Sequence, residues 1–65
     1  MNQDIFKGKW KQLRGRAKQV WGDLSDDDLS RIDGSYDRLV GTLQEKYGYT
    51  KAEAQEKIDK EFGDD

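Results

Sequence analysis

The stretch GKWKQLRGRAKQVWG at residues 8–22 returns in altered form as GSYDRLVGTLQEKYG at residues 34–48. Both copies obey one pattern, G-x-[WY]-x-x-L-x-G-x(5)-[WY]-G, and the second lies 26 residues after the first. Trp10 maps to Tyr36, Leu13 to Leu39, Ala17 to Leu43 and Trp21 to Tyr47. Just outside the stretch, Phe6 maps to Ile32, and Ile32 in turn to Ile58. In the first copy the apolar positions Phe6, Trp10, Leu13, Ala17, Val20 and Leu24 are separated by alternating steps of four and three, which is the stripe of an amphipathic helix. The second copy runs Ile32, Tyr36, Leu39, Leu43 and Tyr47. Two copies are too few for a solenoid, but two helical hairpins packed on each other make a compact bundle. The expected fold is all-α: a small four-helix bundle of two packed α-hairpins with an internal pseudo-repeat. It forms one domain over residues 1–65, with repeat halves at about 5–30 and 31–58.

Punctuation by glycine and capping residues refines this outline, since the chain has no proline. Gly22 and Gly48 each follow an aromatic residue and read as helix stops at C′. Ser25 before Asp26-Asp27-Asp28 is a helix start, with a capping hydroxyl and three carboxylates at the positive end of the dipole. Thr50-Lys51-Ala52-Glu53 matches the capping box. Ala54, Ile58 and Phe62 give the last helix its apolar face. The helices are expected at about 3–21, 26–33, 35–47 and 51–62. Near Gly34-Ser35 two readings stand, a bend or one continuous helix. No β-alternation appears in the sequence.

Composition bounds both stability and chemistry. Leu, Ile, Val and Phe together are only 12 of 65 residues, so the five Trp and Tyr residues must supply much of the core. A domain this small without disulfide or metal sits near balance between burial and chain entropy, and a stability of a few kcal/mol is expected. With neither Cys nor His in the chain, thiol catalysis, disulfides, zinc sites and His-based acid–base work are excluded. The remaining hydroxyls, Ser25, Ser30, Ser35, Thr42 and Thr50, have no His base, and no G-x-x-x-x-G-K-[ST] loop is present. No enzyme activity and no cofactor are expected. Asp26-Asp27-Asp28 lacks the alternating acids, central Gly and terminal Glu of an EF-hand, so it reads as capping and not as a metal site. No run of 18 apolar residues exists, and Met1-Asn2-Gln3-Asp4 leads straight into charged residues. The expectation is a cytoplasmic protein without a membrane partner.

The net charge of −2 hides a strong segregation. Residues 1–22 carry +5, residues 23–37 carry −5 and residues 38–65 carry −2. Lys7, Lys11, Arg14 and Lys18 form one stripe on the first helix, with Trp10 and Trp21 beside it, and these four are the candidate nucleic-acid contacts. The plainer reading, favoured here, has Trp10 in the core and the basic helix docked on the acidic second helix, because charge runs are usually solvated or paired faces. A sequence pI near 5.0 agrees with that preference. Gly8 and Gly15 lie about 200° from the apolar stripe, and Gly34 and Gly41 bear the same relation to Ile32 and Leu39. All four are therefore expected on the outer face, where each costs about 1 kcal/mol against Ala. Such glycines are either tolerated, open to a close partner, serving the opposite side of a crossed hairpin, or keeping the helices loose. A monomer or a weakly self-associating chain follows.

Taken together, Gly8-Lys9-Trp10-Lys11-Gln12, Gly15, Lys18, Trp21-Gly22, Leu24 and Asp26-Asp27-Asp28, continued by Gly34, Asp37, Leu39-Val40-Gly41, Gln44 and Tyr47-Gly48, resemble the CsbD-like family of small bacterial general-stress proteins. The resemblance covers about residues 4–62. Ser25 stands where Thr is frequent and Leu43 where Ile is frequent, and both keep the capping and packing roles. The resemblance implies a cytoplasmic protein abundant under general stress, a bundle of two α-hairpins, and no catalytic residue to carry over. Some relatives are grouped with the hydrophilins, which this chain matches with seven glycines and a mean hydropathy of −1.20.

Overall fold

The computed structural model of the chain describes residues 3–63. Four helices follow in order: α1 (Gln3–Val20), α2 (Asp26–Ile32), α3 (Tyr36–Tyr47) and α4 (Lys51–Phe62). No strand occurs among the described residues. Each expected helix is present, with ends within one residue of the sequence reading.

The starts of α2 and α4 are held by the predicted caps, and that of α3 by a cap the sequence reading did not assign. The Ser25 hydroxyl accepts from the Asp28 N–H at 3.1 Å, and the Asp28 carboxylate accepts from the Ser25 N–H at 3.0 Å. Thr50 and Glu53 form the same reciprocal pair, at 3.1 and 2.8 Å. Ser35 caps α3 by accepting from the Arg38 N–H at 3.3 Å. Each satisfies backbone donors that the first helical turn leaves without partners.

Between α2 and α3 the chain breaks sharply, which settles the joint as a turn. Asp33 and Gly34 both adopt left-handed backbone, with φ of 45° and 80°. Glycine tolerates this conformation because it has no Cβ. Gly34 is buried, contrary to its expected outer position: a Cβ there would meet Lys7 Cγ at 3.2 Å and Trp10 Cβ at 3.4 Å. The helix periodicity that placed Gly34 outward does not continue across the turn. Gly48 is left-handed as expected of a C′ stop, with φ of 70°. Gly22 is not left-handed; α1 ends at Val20, and the turn that follows closes with the Leu24 N–H donating to the Trp21 carbonyl at 3.0 Å.

One core joins all four helices and includes Phe6, Trp10, Trp21, Leu29, Ile32, Leu39, Leu43, Ile58 and Phe62. α3 is its centre, packed against α1, α2 and α4. That explains why Leu39 and Val40, adjacent in sequence, are both buried. The stripe of α1 differs from expectation at its end. Val20 is 39% exposed, and Trp21 takes its place in the core at 3%. Leaving the helix after Val20 turns the indole inward, where it meets the Phe62 ring edge-on at 5.7 Å. Phe6 packs against Trp10 and edge-on against Tyr36, each at 5.6 Å.

Candidate functional site: the charged surface around α1

The residues singled out for nucleic-acid contact all lie on α1. Lys7, Lys11 and Lys18 are exposed and Arg14 is half-buried. Spacings of four and three align them in one row along the helix. Both indoles beside them are buried, Trp10 at 8% and Trp21 at 3% exposure. Neither offers a free ring face for stacking on bases. Whatever this surface binds, it engages through charge.

Of the acids among residues 23–37, only Asp26 and Asp28 form ion pairs with described residues. Asp28, only 7% exposed, accepts the Ser25 backbone N–H and also pairs with Arg31 at 3.1 Å and Lys46 at 3.3 Å. The hydrogen bond from Ser25 does most to hold its carboxyl below the usual range, and Lys46 adds to that against the cost of burial. Asp26 pairs with Lys18 at 2.6 Å, and that ammonium, helped by Arg14, keeps the Asp26 carboxyl ionised to lower pH than usual. Lys18–Asp26 is the only ion pair between α1 and α2 among the described residues. The expected docking of the basic helix on the acidic helix is therefore not realised: α2 packs on α3 instead. Lys7, Lys9, Lys11, Arg14 and Arg16 form no ion pair with any described residue. An amphipathic seven-residue helix buries Leu29 and Ile32 in the common core, and that burial, not charge pairing, chooses its partner.

A concavity of about 460 Å³ opens between α2 and α3. Ser30, Arg31, Asp33, Arg38, Gly41 and Glu45 line it. Its two guanidinium groups already have partners, since Arg31 holds Asp28 and Arg38 donates to the Arg31 carbonyl at 3.0 Å. Opposed charges on its walls favour no ligand of one sign.

The hydroxyl groups are mostly committed to the backbone. Ser25, Ser35 and Thr50 are caps, and Thr42 donates to the Arg38 carbonyl at 2.7 Å. Tyr36 donates to Asp59 at 3.2 Å, and burial, reinforced by that carboxylate, pushes its phenol up to about 12. Tyr47 accepts the Asp23 N–H at 3.3 Å and stacks on Tyr49 at 5.5 Å. Among the described residues no group of three carboxylates is placed to hold a metal ion, and no helix is long and apolar enough to cross a membrane.

Sequence reasoning missed one positioning residue, Gln3. Its side-chain amide donates to the Gly34 carbonyl at 2.7 Å and accepts the Tyr36 N–H at 2.8 Å. A lone glutamine near a helix start carries no sequence signal for a contact more than thirty residues away.

The CsbD-like family matches residues 4–60. The UPF0337 protein PA4738 of Pseudomonas aeruginosa is 53% identical over 64 residues, which is 98% of this chain and 97% of the relative. A UPF0337 protein of Bordetella pertussis is 55% identical over 64 residues, 98% of this chain and 96% of the relative. The UPF0337 protein YjbJ of Escherichia coli K12 is 48% identical over 58 residues, 89% and 84% of the two chains. No solved structure matches the chain. With a family match over most of its length and relatives at about half identity along nearly all of it, the chain belongs to the CsbD-like family.

Proposed function

We propose that this chain acts without catalysis in the bacterial stress response, as a small hydrated spacer that keeps labile proteins apart in the cytoplasm when water is scarce. One observation carries the reading: the fold hides nearly all of its large apolar side chains. Among the described residues only Ile5, at 47%, and Val20, at 39%, are large hydrophobic residues left exposed. The 26 charged side chains of the sequence dominate what remains. Such a surface binds water strongly and offers little apolar area for sticking to unfolded neighbours. Its near-balanced charge avoids the self-repulsion of a highly charged chain.

The test is protection of a drying-sensitive enzyme, measured as activity recovered after dehydration. The protein is expected to outperform an equal mass of albumin. Equal or poorer recovery removes the spacer mechanism.

A further inference from the structure

We propose that the outer face of α1 is a seat for the phosphodiester backbone of duplex nucleic acid. This inference is independent of the spacer role. At about 100° per residue, Gly8, Gln12, Gly15 and Gln19 fall within about 60° of one another and form an uncharged strip. Lys7, Lys11, Arg14 and Lys18 run along one side of it, and Lys9 and Arg16 along the other. Both glycines face open space, with nothing within 4 Å of where a Cβ would stand. The two basic rows are thus the walls of an open seat on opposite flanks of the helix, with the exposed Gln12 and Gln19 side chains standing among the two bare glycine positions. From Lys7 to Lys18 it spans about 17 Å at the usual rise.

Two observations make the basic walls more than helix decoration. Five of the six cations have no ion pair with described residues, and only Lys18 is held, by Asp26. The internal repeat supplies the second. The positions equivalent to the six cations carry Asp33, Ser35, Asp37, Val40, Thr42 and Gln44, none of them basic, although the second copy keeps the pattern of glycines and aromatics. The helical repeat therefore does not need these charges. A seat walled by cations and opened by two glycines suits a linear polyanion that approaches the helix closely. With both indoles buried, nothing in it reads or stacks on bases, so a regular duplex backbone is the fitting ligand and sequence preference is not expected.

The experiment is anisotropy of a labelled 20-base-pair duplex titrated with the intact protein at about 50 mM and about 200 mM salt. Saturable binding is expected at the lower salt, weakened a few hundredfold, or about two orders of magnitude, at the higher, as four to five phosphate contacts require. Lys9→Gln with Arg16→Gln should weaken binding about tenfold or more and reduce the salt slope by about two. Lys51→Gln with Lys60→Gln, the same change of net charge on α4, should have little effect. Gly8→Leu with Gly15→Leu should fill the two open positions and weaken binding comparably while the circular dichroism keeps its helical signal. A single strand of equal phosphate number should bind no more tightly than the duplex. Absence of binding at the lower salt, equal losses from the α1 and α4 pairs, or unchanged affinity in the double leucine variant would each overturn the proposal. Sedimentation showing a salt-sensitive dimer in place of duplex binding would give this face to a second copy of the chain and overturn it equally.

Discussion

Gln3, at the start of α1, closes the left-handed turn at Gly34. Its amide donates to the Gly34 carbonyl and accepts the Tyr36 N–H, at 2.7 and 2.8 Å. One side chain thereby satisfies a turn carbonyl and an orphan donor in the first turn of α3. Gln3→Ala should lower stability by about 1 kcal/mol, a fall of roughly 4–8 °C in Tm for a domain of this size. Gln3→Glu keeps the acceptor for Tyr36 and loses the donor for Gly34, so it should fall between the two. Hydrogen exchange at the Tyr36 amide checks the local effect: its protection should drop in Gln3→Ala.

The glycines should divide by conformation. Gly34→Ala should destabilise by more than about 1 kcal/mol, since left-handed backbone disfavours a Cβ and Lys7 and Trp10 crowd the site. Gly48→Ala meets open space and should incur only the conformational cost. Gly15→Ala and Gly41→Ala lie in helix interiors facing open space, and each should stabilise by up to about 1 kcal/mol. Thermal melts of the four variants decide the order.

The acid limb of stability should report on Asp28. Its folded-state carboxyl titrates below the ordinary 3.8. Its contribution is therefore complete above that value and is lost as pH falls through the lower folded-state value. Asp28→Asn should be less stable than the parent at neutral pH and converge with it under strong acid. Ser25→Ala removes the reciprocal half of the box and should lose about 1 kcal/mol. Denaturant melts across the acid range measure both.

The Tyr36 phenol should ionise late. Its phenol is pushed up to about 12 from the ordinary 10.0. The folded state favours the neutral form, so the stabilisation is complete below about pH 10 and is lost as pH rises through 12. An ultraviolet titration should show one late phenolate, absent in Tyr36→Phe. If no late phenolate appears in the folded protein, the Tyr36–Asp59 hydrogen bond is wrong.

Phe62 closes the core from the last turn of α4 by meeting Trp21 edge-on. Phe62→Ala should lose about 3 kcal/mol or more, comparable to the whole stability of a small domain. Loss of the cooperative melt and a red-shifted Trp emission should accompany it.

Helix positions were legible in the sequence because their signals are local. The three-and-four spacing from Phe6 to Ala17, the Ser25–Asp28 and Thr50–Glu53 boxes and the Gly48 stop each act within a turn or two of the chain. The six cations on α1, candidate contacts among them, were equally visible, since exposed charge needs no packing partner to exist. What the sequence could not show was which equivalent positions would behave alike. Gly8 and Gly34 occupy the same place in the repeat, yet one lies inside a helix and the other in a left-handed turn. Arg14 is half-buried while its equivalent Val40 is in the core. Sequence by itself determined four helices and the division of charge. Only the tertiary structure decided that α3 is the central helix, that Trp21 and not Val20 turns inward, and that five of the six α1 cations form no ion pair with described residues while α2 packs on α3. The reason is that burial depends on every element that reaches a residue, and α3 meets three neighbours where α1 leaves one face to solvent.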